Sequence, residues 1–406
     1  MDCPAMVLAT VPTRISMPKF AVLNNISTNG RQSRNQRLHW TVRPSCMHQH
    51  HQSSHFLAGP LESGKKNLVS SRTLYVKALP EVGRQRWYLS ASGAGEPSSV
   101  DSEKSDRHKE GEEEVVDGVT LRHGFLNNND ITIHFVEAGD PTGKLVLLIH
   151  GWPNFWYVWK NQFKALSDAG YHAVAIDLRG YNLSSKPDSL EYYVRSAVLD
   201  DIVKCIDHFG HGDAAVMVGH DLGSIISWSL AEDHPSKVEK LVTVNTGRLT
   251  DFSKILTSNL SQAFRSWYIG AMQIPGVAEF AIAYDNCLVV RSMLKNLIPA
   301  MTDDDIERHV KAYSHPGAVK GSISFYRAAV RGLWHPSGEV PVVKTPVTVF
   351  WGDKDAFILP IVAQPDKATA PNSKVVHLPE SSHWPMWDDP RLFNELLLRT
   401  LAETGS

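Results

Sequence analysis

A glycine-flanked aspartate, Gly219-His220-Asp221-Leu222-Gly223, is the segment of this 406-residue chain whose residue types and spacing point most directly to chemistry. It follows the apolar run 214–218 and opens a helical pattern, the strand–turn–helix context of a nucleophile elbow. Small residues at 219 and 223 let strand and helix approach, and the side chain at 221 sits at a helix N-terminus, where the dipole favours an anion. A carboxylate there has no alcohol proton to lose, yet it can attack an electrophilic sp3 carbon and form a covalent ester. An ordinary helix N-cap aspartate would look the same in the pentapeptide alone; three further segments separate the two readings.

His150-Gly151-Trp152-Pro153 directly follows the apolar run 145–149, where a loop can aim backbone N–H groups at a developing oxyanion. The amides of Trp152 and Leu222 are the expected donors. His383, in Ser381-Ser382-His383-Trp384-Pro385, follows the last strand-like run and precedes a helix starting near Pro390, the loop position of a general base. With 19 histidines in the chain, position and order single it out, and residue type does not. The orienting acid should fall between nucleophile and base in chain order. Trp351-Gly352-Asp353-Lys354-Asp355 offers two carboxylates, of which Asp355 is preferred because Asp353 lies beside the strand end and can cap the turn. The other position for such an acid, just after the run 241–244, holds Asn245.

These segments need an open sheet to bring them together. From Asp117 onward strand-like runs alternate with helical patterns, which predicts an α/β fold with a mostly parallel central sheet. Residues 118–125 and 131–138 read as an opening hairpin, and 145–149, 173–177, 214–218, 241–244, 347–351 and 374–378 as buried parallel strands. Helices are expected over 192–209 and 225–233. Between 248 and 335 the alternation gives way to a wholly helical pattern broken at Pro275, Pro299 and Pro316, which predicts a helical cap inserted between two parts of a core, 116–247 and 336–406. Such an insertion would roof the carboxyl ends of the strands, where ligands of open α/β sheets bind.

The first 80 residues carry ten Lys/Arg and only two acids, Asp2 and Glu62, with many Ser, Asn and Gln and no helical or strand periodicity. That is transit-peptide composition. Pro4, Pro12 and Pro18 disfavour the amphipathic helix of a mitochondrial presequence, so the expected address is the chloroplast, with cytoplasm or mitochondrion as alternatives. Without that segment the formal charge moves from −2 to −2 − (10 − 2) = −10. Residues 81–115 read as a polar, disordered linker. A net charge of −2 gives no field that would favour nucleic acid. Four scattered cysteines form no metal-ligand or disulfide pattern, and no window has the length of uncharged apolar residues needed for a membrane span.

Over about residues 120–402 the chain resembles the epoxide hydrolase branch of the α/β-hydrolase superfamily, whose elbow reads GHD-x-G and whose oxyanion loop reads HG-x-P. That family also carries two cap tyrosines that hold the epoxide oxygen, one seven residues before a proline and one in a Tyr-Arg segment late in the cap. Tyr268, seven residues before Pro275, and Tyr326, in Phe325-Tyr326-Arg327, are the matching positions. The family commonly has an aromatic residue after the nucleophile, where this chain has Leu222, and a glycine where it has Asn182.

The resemblance implies an epoxide hydrolase. Asp221 would open the ring while Tyr268 and Tyr326 protonate the departing oxygen, and His383, oriented by Asp355, would activate water to release a vicinal diol. His150, Pro153 and Trp384, in the flanking loops, are expected to contact substrate. The expected partners are a small apolar epoxide and water, and neither metal nor organic cofactor is required. The alternatives are a haloalkane or haloacid dehalogenase using the same Asp-His-Asp displacement, disfavoured by Leu222 and by the tyrosine pair, and a non-catalytic ligand-binding homologue.

Overall fold

The computed structural model describes residues 110–336 and 338–403, together with two short strands, Leu74–Ala78 (β1) and Trp87–Ala91 (β2). These two pair antiparallel, Leu74 opposite Ala91, in a unit separate from residues 98–406. Apart from β1, the expected transit peptide lies outside the described residues. The expectation of a disordered 81–115 linker is corrected at two places. One is β2. The other is Glu113–Val116 (β3), which pairs antiparallel with Val119–Asn128 (β4) and buries Val116 in the core. A strand of four residues, half of them glutamates, is too short and too charged to show a hydrophobic period.

The other strands are Ile131–Ala138 (β5), Lys144–Ile149 (β6), Tyr171–Ile176 (β7), Ala215–His220 (β8), Val238–Val244 (β9), Val347–Gly352 (β10) and Ser373–Leu378 (β11). They lie in the order β11-β10-β9-β8-β6-β7-β5-β4-β3, parallel from β7 to β11 and antiparallel from β7 through β5 and β4 to β3. Both faces are covered. In β6, Val146 and Leu148 enter one apolar cluster and Leu145, Leu147 and Ile149 the other, the period of two that a strand buried on both sides must follow. The covering helices are Lys160–Asp168 (α1), Arg195–Phe209 (α2), Leu222–Asp233 (α3) and, at the end of the chain, Pro385–Asp388 (α10) and Pro390–Ala402 (α11). From β6 the chain passes to β7 on one side and then to β8 on the other, so strand order reverses at β6. The crevice beyond the carboxyl ends of β6 and β8 is where such a sheet binds ligand.

Between β9 and β10 lie the cap helices Leu249–Ser258 (α4), Leu260–Arg265 (α5), Trp267–Ala271 (α6), Val277–Leu297 (α7), Asp303–Ser314 (α8) and Ala318–Val330 (α9). Pro275, Pro299 and Pro316 all fall between helices. One break carries no proline: α7 bends over Tyr284–Cys287, with Asp285, Asn286 and Cys287 at φ of 47°, 55° and 56°. Among the described residues no helix is long and apolar enough to cross a membrane, and no group of His, Cys, Asp and Glu is arranged to hold a metal ion.

Candidate active site

At the end of β8 the backbone turns through Asp221 at φ 53° and ψ −118°, and α3 starts at the next residue. For a residue with a Cβ this is a sparsely populated conformation, costing on the order of 1–3 kcal/mol, and the surroundings must impose it. They do so through close packing. A Cβ at Gly219 would stand 2.4 Å from the Gly223 carbonyl oxygen, and one at Gly223 would stand 2.1 Å from the Ile149 oxygen, so the elbow closes only on glycine. The Asp221 amide donates to the Val244 oxygen (3.2 Å), and the Ser224 hydroxyl bridges the Gly219 oxygen (2.7 Å) and the Val244 amide (3.1 Å). Asp221 is therefore tied to β9 as well as β8.

The two carboxylate oxygens of Asp221 have different neighbours. Oδ1 accepts a hydrogen bond from the Trp152 amide at 2.9 Å, and the adjoining Leu222 amide favours the charged form of the carboxylate. Oδ2 lies 3.7 Å from Nε2 of His383. The opposite ring nitrogen, Nδ1, is 2.6 Å from Oδ2 of Asp355. Asp355 is held in turn by the amides of Phe357 (2.7 Å) and Ile358 (3.0 Å) on Oδ1, and by Asn245 Nδ2 on Oδ2 (2.8 Å). Asp353 turns to the surface and meets the exposed His377 at 2.7 Å.

Charge balance follows from these contacts. Burial opposes ionisation of Asp221, but His383, His220 and the Leu222 amide outweigh it and its pKa is lowered. Asp355 is also lowered: burial opposes its charge, and His383, Asn245 and the Ile358 amide overcome that. Burial disfavours an imidazolium at His383, yet Asp355 and Asp221 reverse the sign and lift its pKa to about 10. Both carboxylates therefore favour the charged form of His383.

Above Asp221 and Leu222 is a cavity of about 240 Å3 between core and cap. Its walls are largely apolar, with Ile225, Phe252, Leu256 and Ile269 among them, and Tyr268 of α6 and Tyr326 of α9 also line it. The two tyrosine rings meet edge to face at 6.3 Å between centroids, and Tyr268 also stacks on Trp152 at 6.5 Å. Burial, followed by the Asp221 charge, raises both tyrosine pKa values, so both hydroxyls keep their protons. Gln273 reaches the Tyr326 carbonyl (3.4 Å), and Arg327 pairs with Glu279 (2.6 Å), which fixes α9 against α7.

His150, Pro153 and Trp384 are not among the residues lining this cavity. His150 is fully buried beneath the oxyanion loop, and Pro153 follows a cis peptide within that loop. Trp384, 1% exposed, packs edge-on against His383 at 4.9 Å and against Phe357 at 5.8 Å. These residues shape the loops from behind.

Two residues carry roles that sequence reasoning did not assign. Asn245, at φ 48°, donates to Asp355 and accepts from the Gly352 amide at 2.9 Å, so it joins the ends of β9 and β10 under the acid. Asn182, at φ 37°, replaces a glycine in a left-handed turn and gives its amide to the buried Asp177 at 2.8 Å. Asparagine tolerates that backbone better than most side chains, which was the available signal at both positions.

Residues 144–390 match the family model described as the alpha/beta hydrolase fold. The AB hydrolase superfamily protein YfhM of Bacillus subtilis is 35% identical over 70% of this chain and 99% of its own. Epoxide hydrolase 4 of Mus musculus is 31% identical over 68% of this chain and 78% of its own. Among solved structures, Bacillus megaterium epoxide hydrolase in complex with an inhibitor superposes with a TM-score of 0.63 at 30% identity, covering 69% of this chain and 100% of that one. Epoxide hydrolase VrEH1 from Vigna radiata gives 0.61 at 27%, covering 69% and 98%. With the elbow, the acid and base behind it and a helical cap above, the chain belongs to the α/β-hydrolase family and, within it, to the epoxide hydrolases.

Proposed function

We propose that this protein hydrolyses an apolar epoxide to a vicinal diol through a covalent ester on Asp221. The observation that carries the reading is the asymmetry of that carboxylate: Oδ1 accepts the Trp152 amide, while Oδ2 faces the His383 ring at 3.7 Å. In the first step Oδ2 attacks a ring carbon, the C–O bond of the epoxide breaks, and Tyr268 or Tyr326 gives its proton to the leaving oxygen. The apolar walls named above favour a substrate with little charge.

Ester formation cancels the charge on Asp221, one of the two carboxylates that hold the proton on His383. The imidazole then gives up its proton more readily, to the tyrosinate left by ring opening, and can accept one from water. Water adds to the ester carbonyl, and the oxyanion that forms on Oδ1 faces the Trp152 amide, with the Leu222 amide as the proposed second donor. Collapse breaks the bond between the carbonyl carbon and the substrate oxygen, which takes a proton from His383 as the diol leaves. Asp221 is restored.

In His383→Gln, ring opening should persist while ester hydrolysis stops. Intact-protein mass spectrometry after incubation with an aryl glycidyl ether should show one added substrate mass, on the peptide containing Asp221. Asp221→Ala should gain none. An unmodified His383→Gln protein, with an epoxide that the wild type consumes, would overturn the two-step reading.

A further inference from the structure

The oxyanion amide of Trp152 belongs to the Gly151–Trp152 peptide, and the carbonyl of that peptide points the opposite way, as planarity requires. Two donors hold this carbonyl: the Asn154 amide at 2.9 Å and the imidazole Nδ1 of His150 at 3.0 Å. The other ring nitrogen, Nε2, faces the Leu178 amide at 3.1 Å. A carbonyl only accepts and a backbone amide only donates, so these partners admit one state of the ring, neutral with its proton on Nδ1. The ring is fully buried and lies edge to face with Tyr181, 4.7 Å between centroids. Glycine at 151 is also required, because a Cβ would stand 2.4 Å from Asp221 Oδ1. A glycine peptide so close to the nucleophile has no side chain of its own to prevent a flip, which would turn its carbonyl toward Asp221.

The geometry points to His150 as a positioning residue for ester hydrolysis: through its Nδ1 proton it holds the Gly151 carbonyl, and so keeps the Trp152 amide aimed at Oδ1 of Asp221. The inference rests on the proposed two-step reaction and adds a residue that never meets substrate. Loss of the His150 bond weakens the amide most where charge collects on Oδ1, in the second half-reaction.

The test compares three variants in single-turnover experiments with an aryl glycidyl ether, following ester formation and ester decay by quenched-flow mass spectrometry. His150→Phe keeps a flat ring without donor or acceptor. His150→Asn places an amide nitrogen near the position of Nδ1, and His150→Gln places its amide near Nε2. Ester decay should slow about 100- to 1000-fold in the Phe and Gln variants, the usual effect of losing one oxyanion donor, with ester formation changed much less. His150→Asn should recover most of the decay rate. In 15N spectra of histidine-labelled protein, the signal absent from His150→Asn should show Nδ1 protonated and Nε2 free. Should His150→Phe fail to fold, the contrast between Asn and Gln still decides. Equal decay in those two, or wild-type decay in Phe, would overturn the role of His150. Absence of any ester in His383→Gln would instead overturn the two-step reaction, while the 15N result would still report on the ring.

Discussion

Gly352→Ala is a one-methyl test of how the base is held. Gly352 ends β10, three residues before Asp355, and a Cβ there would stand 1.9 Å from the Ser382 carbonyl oxygen and 2.7 Å from that of Ser381. Both obstacles are backbone of the loop that carries His383, so no rotamer change relieves them. Restoring an ordinary contact of about 3.2–3.4 Å needs a shift of more than 1 Å, and the 2.6 Å bond between His383 and Asp355 would stretch beyond hydrogen-bonding range. A displacement of about 1 Å in a catalytic group costs on the order of 100-fold. The overpacking itself should cost about 1–3 kcal/mol of stability. Steady-state turnover should therefore fall about 100-fold, with the ester accumulating as in His383→Gln, while circular dichroism and a modest drop in melting temperature report a folded chain. A folded Gly352→Ala protein that hydrolyses its ester within about threefold of wild type would refute the claim that this contact sets the acid–base geometry.

Tyr268→Phe and Tyr326→Phe should each slow ester formation while leaving decay of a preformed ester nearly unchanged, and the double variant should be slower than either; wild-type ring opening in the double variant would remove both from the mechanism. His309, fully buried with its pKa lowered to about 4, is neutral in the folded protein, so the unfolded chain binds the extra proton below its pKa of about 6.5 and stability is lost as pH falls from 6.5 towards 4. At pH 5 that loss is about 2 kcal/mol, and the drop in melting temperature between pH 7 and 5 should be smaller in His309→Gln; an identical drop would rule the residue out. Residues 1–80 fused to a fluorescent reporter should direct it to plastids, a proposal drawn from their acid-poor composition; diffuse cytosolic fluorescence would reject it.

The elbow could be read in the sequence because its geometry depends on local residues: glycines at 219 and 223 and a carboxylate between them. The choice of Asp355 over Asp353 rested on distance from the strand end, and in the structure that distance lets Asp355 turn inward to His383 while Asp353 meets the solvent-side His377. Which side of a loop faces a cavity is not a local property. His150 and Trp384 belong to the right loops, but their bulk is needed behind the catalytic groups, where one fixes a peptide and the other backs the base. The role of Asn245 could not be read for a related reason, since its value lies in bonds to Gly352 and Asp355, more than 100 residues away. The bend in α7 had no proline to mark it.

The placement of the cap in the chain separates two kinds of change. All of α4 to α9 lies between β9 and β10, while the proposed nucleophile, acid, base and both oxyanion donors come from the core, in the turns and loops that follow its strands. In the proposed reaction the cap supplies only the proton donors for ring opening and most of the wall that an epoxide would touch. A substitution in α4, α6 or α9 can therefore alter which epoxide enters and which carbon is attacked, without altering how the resulting ester is cleared. Selectivity and clearance would then be separately heritable: exchange of residues 248–335 with those of a relative should carry over substrate preference while the ester-decay rate stays with the parent sheet.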